Sequence, residues 1–378
     1  MISRISIKGF KRIDSADIEL GDVTLLYGPN SEGKSSIMQA IELVLSSIFH
    51  SKGRDIRIYA SRNTQKMDVR AELCEPLPET LLIRAYFSIL PKITPLLKNI
   101  SFEIPDFKHE YGEEIGVKTE PPTSLAMPPP PVGDICLLDS SYLSSLLSKL
   151  ELSEKYKKLG EISRELRKLE KLAEEGEYPA ELINPYIFIP KLNSEDLSGS
   201  VKKALRILYG LGRKKIGELI GDLNYVVGDS FTVEDFLPIG EDIHVQLDSM
   251  ELPLDRMSDG FLHILNILCA VHKIDYFMRY FFSDMLEIEM KGVLLVEVLD
   301  GGVHIDWLLN LLNLLLGGDK RVKLVGEIHT GLLLSHAVAK GYPAYYISGG
   351  EAKRIDKEQI AEVSLFKREI SAYREMGS

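Results

Sequence analysis

Residues 2–8 alternate apolar and polar positions, with Ile2, Ile5 and Ile7 set among Ser and Arg, and residues 16–20 alternate again. A period of two places alternate side chains on one face of a strand. With Gly9 and Gly21-Asp22 as turns, the pattern predicts two antiparallel strands. The short apolar run 23–27 predicts a third. At residue 36 the spacing of apolar positions changes to three and four, which predicts a helix over 36–49. Residues 67–74 and 81–90 read as further strands, so the first lobe is expected to be a mixed sheet packed on that helix.

The pattern then changes. Prolines recur from Pro91 to Pro131 and end in Pro128-Pro129-Pro130-Pro131, which suits an extended linker or a surface arm. Residues 135–138 return to strand character. Over 142–177 a charged helix is expected, with Leu152, Tyr156, Leu159, Ile162, Leu166, Leu169 and Leu172 forming one apolar stripe. A coiled-coil arm and a surface helix packed on its own domain both fit that stripe. Its length of roughly three heptads, interrupted by Gly160, favours the second.

Beyond it, residues 183–190 predict a strand and 200–221 an amphipathic helix. Two short strands, 242–247 and 251–254, flank a turn, and an apolar helix covers 262–273. The apolar runs 293–298, 323–328 and 342–347 suit buried parallel strands, the first broken only by Glu297. Strands alternating with helices make this second lobe α/β. The expected organisation is a first lobe over 1–90, a Pro-rich and helical insertion over 91–199, and a second lobe over 200–378.

Composition adds limits. At 378 residues the chain can hold two domains or one with an insertion, and 45% apolar with 27% charged residues is ordinary for a globular protein. Cys74, Cys136 and Cys269 are scattered without C-x-x-C spacing, so core thiols in a reducing compartment are expected. No leader pattern is visible and no apolar run reaches membrane-spanning length; the longest, 308–316, is broken by Asn310 and Asn313. A cytoplasmic protein without a membrane partner is the expectation. The net charge of −11 argues against tight, autonomous binding to duplex DNA, which needs a basic footprint.

The chemistry concentrates after the third strand. Gly28-Pro29-Asn30-Ser31-Glu32-Gly33-Lys34-Ser35 has the spacing G-x-x-x-x-G-K-[ST], between a strand and a helix that continues through Ser36. Gly28 and Gly33 let the backbone curl so that its N–H groups face phosphate oxygens. Lys34 can reach β- and γ-phosphates, Ser35 can ligate Mg²⁺, and the positive end of the helix favours the anion. Three distant elements bear on this loop. Glu297, at the end of an apolar run, is an acid placed to hold Mg²⁺ through water. Ser258-Asp259-Gly260 opens a helix, where a hydroxyl and N–H groups can meet phosphate. His329 follows the next apolar run.

Taken in this order, the chain resembles the ABC-type ATPase heads of the SMC, RecF and OLD-like group. ISIKGFK (5–11) is similar to their first strand, GPNSEGKSSIMQAIELVL to their Walker A loop and helix, residues 256–261 to the signature motif, and VLLVEVLDGGVH to the Walker B region. Gly302-Val303-His304 matches the Gly-Leu-His found after Walker B in the stand-alone ATPases of the group. The resemblance covers roughly residues 1–90 and 200–350.

The resemblance implies a P-loop NTPase fold, an ABC-ATPase head of two lobes, and a homodimer with two ATP molecules sandwiched between protomers. Gly28 to Ser36 would hold ATP, Glu297 and Ser35 its Mg²⁺, and Lys11 or Arg12 would touch the nucleotide. Ser258 and Gly260 would cap the partner's ATP and His329 would sense its γ-phosphate. Lys34, Glu297 and His329 are then the expected catalytic set.

Two departures follow. Aligning on Gly302-Val303-His304 puts Val298 where the group has its water-orienting Glu, leaving hydrolysis slow or assigned to Asp300 or another acid. No glutamine lies between Gln65 and Gln246, so Asp139-Ser140 is the expected substitute in the Q-loop.

Two functions stay open: an ATPase in DNA maintenance or genome defence, and a nucleotide-gated switch or scaffold with little turnover. The insertion over 91–199 is the expected docking element for a protein or nucleic-acid partner. A GTPase lacks its N-K-x-D element here. The roughly fifty residues after His329 are too few for an added nuclease domain of usual size.

Overall fold

The computed structural model of the protein describes residues 1–49, 54–55, 59, 66–77, 79–88, 96–104, 107–112, 118–120, 137–138, 154–176, 182–248, 250–317 and 319–360. The chain begins with β1 (Ile2–Phe10), β2 (Ile13–Glu19) and β3 (Val23–Tyr27), and the phosphate loop leads directly into α1 (Lys34–Phe49). It forms two compact units from interleaved segments. The first holds Met1–Leu20, Gly28–Tyr178 and Tyr345–Asp356; the second holds Gly21–Tyr27, Pro179–Ala344 and Lys357–Ser378.

In the first unit β1 pairs antiparallel with β2, as the alternation predicts, and Ile2, Ile5, Ile7, Ile13 and Ile18 are all buried. A short pair joins β4 (Arg54–Asp55) to a later strand. β5 (Lys66–Leu73) and β6 (Thr80–Ser88) extend the antiparallel sheet from β1. The sheet does not stop there. β7 (Leu96–Ile104), β8 (Phe107–Gly112) and β9 (Lys118–Glu120) continue it strand by strand.

Within 91–131, expected as an extended linker or a surface arm, the described stretches 96–104, 107–112 and 118–120 are strands of this sheet. The ladder uses stretches that carry no proline, Leu96–Ile104 and Phe107–Gly112, so the prolines punctuate the strands instead of abolishing them. Pro128–Pro131, Cys136, Asp139 and Ser140 lie outside the described residues. β10 (Leu137–Leu138) is the partner of β4.

α1 is buried nearly all round, including Lys34, Ser36, Glu42, Ser46 and Ser47; the hydroxyls of Ser46 and Ser47 donate back to the Leu43 carbonyl. The charged helix is α2 (Glu154–Glu174), and Ile162, Leu166 and Leu169 of its stripe are buried. It packs on α1. The stripe is a core face and not the seam of a projecting coiled coil.

The second unit is built on four parallel strands. β11 (Tyr186–Ile189) starts the order and is followed, after the helices α3 (Ser194–Gly210) and α4 (Arg213–Val227), by an antiparallel meander of β12 (Val233–Ile239), β13 (Asp242–Leu247) and β14 (Met250–Pro253). One helix was expected over 200–221; the break falls at Leu211-Gly212, inside a run of glycines the apolar spacing bridges. α5 (Asp259–Phe277) continues into a π-helical segment, Met278–Met285, stitched by rings of Phe277, Phe281 and Phe282 with centroids 5.0 to 6.0 Å apart. Residues Asp259–Met285 are long and apolar enough by composition to cross a membrane, a run the sequence reading passed over, and 83% of the apolar window is buried inside the fold.

β15 (Gly292–Val296), α6 (Ile305–Gly317), β16 (Val322–Ile328) and α7 (Gly331–Lys340) follow. The parallel order is β11-β15-β16-β3, every residue of β15 and β3 being buried. α5 packs on β11, β15 and β16, while α6 and α7 pack on β3. The fold is α/β, with the phosphate loop leaving the C-terminal end of a central parallel strand. The chain then returns as β17 (Ala344–Ser348) and β18 (Glu351–Arg354); β17 and β18 pair antiparallel and β18 runs parallel to β2 in the first unit. Cys269 is buried, and burial pushes its thiol up to about 12; Cys74 is half-buried.

Candidate nucleotide-binding site

The loop after β3 is a conformation that only its glycines permit. Gly28 has φ 153° and a Cβ there would stand 2.2 Å from the Ile347 carbonyl oxygen. Gly33 has φ 113°, and its Cβ would meet Cδ1 of Ile13 at 2.5 Å. Between them Ser31 takes φ 67°. The Lys34 ammonium, only 2% of the residue being exposed, donates to the carbonyls of Gly28 and Pro29 at 2.8 Å each. Its charge is thereby aimed across the mouth of the loop, at the first turn of α1 where helix N–H groups favour an anion.

Neighbouring groups brace the loop. Arg12 donates to the Ser31 carbonyl, and the Glu32 carboxylate accepts the Gly349 N–H at 2.7 Å. Lys11, at φ 52°, is held differently: its ammonium bonds Gln39 of α1 and lies 5.2 Å from the ring centre of Tyr59, which stacks on Phe10. Of the two basic residues, Arg12 is the one on the phosphate loop.

The second unit gathers the other expected residues at the C-terminal ends of β15 and β16. Glu297 follows β15, and its Oε2 accepts the Lys191 N–H at 3.1 Å, on the β11 side of β15. Val298 next to it sits at φ 55°, a left-handed conformation rare for a β-branched residue. The Asp300 side chain is largely covered and is taken up by the loop after β16. Its Oδ2 accepts the backbone N–H groups of His329 and Thr330 at 2.8 Å, and its Oδ1 lies 3.4 Å from His329 Nδ1. Burial pushes the Asp300 carboxyl up, but the hydrogen bonds from His329 and Thr330 outweigh it and hold the group below the usual carboxylate range. Asp300 is therefore an anchor for His329.

The opposite edge of the same imidazole meets an acid the sequence reading missed. Glu327, in β16 and buried, has its Oε1 3.4 Å from His329 Nε2. A carboxylate inside an apolar strand, two residues before a histidine, is the signal that could have found it.

Ser258 is exposed at the N-cap of α5, and its hydroxyl accepts the Phe261 N–H at 3.3 Å. Gly260 abuts the Gly302 carbonyl, where a Cβ would come within 2.5 Å. The signature-like and Gly-Val-His segments thus share one open cavity of about 480 Å³, lined by Ser230, Ser258, Gly260, Gly302, Val303, His304 and Trp307. From the same helix, the His263 imidazole is pushed below its ordinary value by burial, opposed by hydrogen bonds with the backbone of Leu299 and Val298. Nothing in the sequence pattern announced that tie.

Residues 1–115 match the family model of the AAA ATPase domain. Among curated proteins, the chain is 39% identical over 51 residues to an OLD nuclease of Thermus scotoductus, covering 14% of this chain and 10% of that protein. It is 38% identical over 68 residues to the DNA replication and repair protein RecF of Shewanella loihica, covering 18% and 17%. The chain thus spans well under a fifth of the length of these relatives.

Solved structures similar to it include the SMC head domain from Thermotoga maritima, at 11% identity, 94% and 98% coverage and a TM-score of 0.43. An SMC head bound to the C-terminal winged-helix domain of ScpA matches at 12% identity, 96% and 99% coverage and a TM-score of 0.48. RecF with ATP matches at 12%, 94% and 99%, with a TM-score of 0.37. The OLD nuclease and RecF matches are to proteins of the kind the motifs resemble.

Proposed function

We propose that the chain binds ATP with Mg²⁺ and hydrolyses it as a homodimer, each ATP held by one copy's loop and capped by Ser258 and Gly260 of the other. The loop geometry at Gly28 and Gly33 carries the reading: both glycines occupy positive-φ positions that leave no space for a side chain, beside a helix N-terminus and a buried lysine. In this reading residues 28–36 hold the triphosphate and Arg12 braces the loop. Lys34 neutralises charge on the transferred group, and His329 reads the γ-phosphate.

The donors suit Mg²⁺. Ser35 and Glu297 offer hard oxygens, and among the described residues no larger group of His, Cys, Asp or Glu gathers to hold a metal alone. Mg²⁺ keeps waters and completes its shell with substrate phosphates, so one or two protein oxygens suffice. Bound there, it would draw charge from the transferring phosphoryl group.

The matches to an OLD nuclease and to the DNA replication and repair protein RecF favour work in DNA maintenance, and genome defence and a cytoplasmic setting are part of the same proposal. A protein or nucleic-acid partner would engage residues 91–199, whose strands carry the antiparallel sheet beyond β6. The net charge of −11 favours a partner-assisted encounter with DNA over an autonomous one.

One test compares ATP turnover of the full chain with Lys34→Ala, alongside binding of a fluorescent ATP analogue. Turnover that Lys34→Ala abolishes supports an ATPase. Equal rates with intact binding in the wild type leave a nucleotide-gated switch instead, a reading favoured by Val298 standing where a water-orienting acid is expected.

A further inference from the structure

A second cavity lies wholly within the second unit and shares no lining residue with the proposed nucleotide site. It measures about 210 Å³, the bulk volume of about seven waters, and is walled by α3, α5, β11 and the chain on either side of β11. Helical spacing makes two of the walls. Ser200, Lys203, Ala204 and Ile207 recur at three and four along α3, and Asn266, Ala270 and Lys273 do the same along α5, so each set shares one helix face. The two helices pack on each other and α5 packs on β11, which adds Ile187 and Ile189 to the lining. Alanine at 204 and 270 leaves room that a longer side chain would fill.

One polar group in the lining has more bonding capacity than the fold uses. Asn266 is 5% exposed, in the middle of an otherwise apolar helix. Its Oδ1 accepts the Ser200 hydroxyl at 3.1 Å, the one hydrogen bond of that side chain among the described residues. Both N–H donors of the amide are thereby left to the cavity on whose wall the residue stands. Holding an amide in so covered a place without an acceptor costs free energy that leucine there would not. The lining also carries Lys203 and Lys273 and, among the described residues, no Asp or Glu. Much of the rest is hydrocarbon.

We propose that this cavity binds a small monocarboxylate with an apolar body, on the scale of a short-chain acid. The carboxylate accepts from the Asn266 amide, the positive lining favours an anion over a cation, and the hydrocarbon chain lies against Ile187, Ile189 and Ile207. A phosphate ion would leave several charged oxygens facing hydrocarbon. This site stands independently of the ATPase reading.

The test titrates hexanoate, hexanamide and hexylamine into the full-length protein by calorimetry and maps the hexanoate chain by intermolecular NMR contacts. Wild type, Asn266→Leu and Ala270→Leu are compared, each with its melting temperature. Hexanoate should bind the wild type saturably, about tenfold or more tighter than the amide or the amine, the worth of a charge-assisted hydrogen bond. Folded Asn266→Leu and Ala270→Leu should each weaken it by about tenfold or more, the first by removing the donor and the second by filling the space. The NMR contacts should fall on the methyl groups of Ile187, Ile189 and Ile207. No saturable binding overturns the proposal, as do wild-type affinity in both variants and contacts that miss those three residues. Equal affinity for hexanamide or hexylamine overturns the carboxylate assignment. Should either variant fail to fold, the contacts and the ranking of the three probes on the wild type decide.

Discussion

His329 and Asp300 are joined through both backbone and side chain. The His329 N–H donates to Oδ2 of Asp300 at 2.8 Å, and the imidazole Nδ1 stands 3.4 Å from Oδ1. The turn after β15 therefore fixes where the loop after β16 can place its histidine.

Asp300→Asn tests that joint. Losing the charge on an acceptor that serves the backbone N–H groups of His329 and Thr330 should destabilise the fold by about 1–2 kcal/mol, read by chemical denaturation. The wild-type carboxyl lies below its ordinary value, so it adds stability that is present above the unfolded pKa and is lost as pH falls through the folded one. The wild type should therefore lose stability on acidification below about pH 4, and the variant's profile should be flatter in that window. Parallel profiles would count against the bond.

Gly28→Ala should remove nucleotide binding. Its methyl would have to displace the Ile347 carbonyl oxygen from 2.2 Å at a φ of 153°, with backbone strain alone costing about 1–3 kcal/mol. Titration with an ATP analogue should show affinity reduced by about tenfold or more, the equivalent of roughly 1.4 kcal/mol. Retained affinity would mean that the loop is built otherwise.

Val298→Asn should stabilise. A β-branched residue at φ 55° pays roughly 1–2 kcal/mol that asparagine largely avoids. A denaturation midpoint that moves up supports a strained turn; a lower one shows that the valine side chain contributes more than its backbone strain.

Ser258→Arg should abolish ATP-dependent dimerisation in light scattering with ATP and Mg²⁺, since an exposed cap would now present bulk where phosphate is expected. Ser258→Ala, which removes only the hydroxyl that accepts the Phe261 N–H, should cost about 1 kcal/mol of stability. A dimer that survives Ser258→Arg argues against capping by this residue.

Much of this was legible in the residues. Alternation gave β1 and β2, and the loop could be read from spacing alone, because glycines at positive φ leave a direct trace in sequence. Strands β7 to β9 were hidden because prolines dominate the composition of a segment whose intervening stretches still pair. The break between α3 and α4 was hidden because apolar spacing runs on across Leu211-Gly212. Glu327 escaped for a related reason: inside VKLVGEI an acid reads as a blemish in a strand, and only its approach to His329 gives it chemistry. The hold of His263 on the turn at Val298 joins residues remote in sequence, and no local pattern encodes it. Asp139-Ser140, offered for the missing glutamine, lie outside the described residues.

β3 belongs to one unit and the loop it launches belongs to the other, and β3 pairs with β16, near the far end of the chain. During synthesis the strand that carries the phosphate loop, Val23–Tyr27, emerges well before the neighbour it pairs with, Val322–Ile328. Pairing over such a separation closes late in folding and leaves an apolar strand without its ladder until then. Residues 1–115, although they match a domain family on their own, would lack β16 if expressed alone. Under the proposed function, a nascent chain halted before Val322 should fail to retain nucleotide.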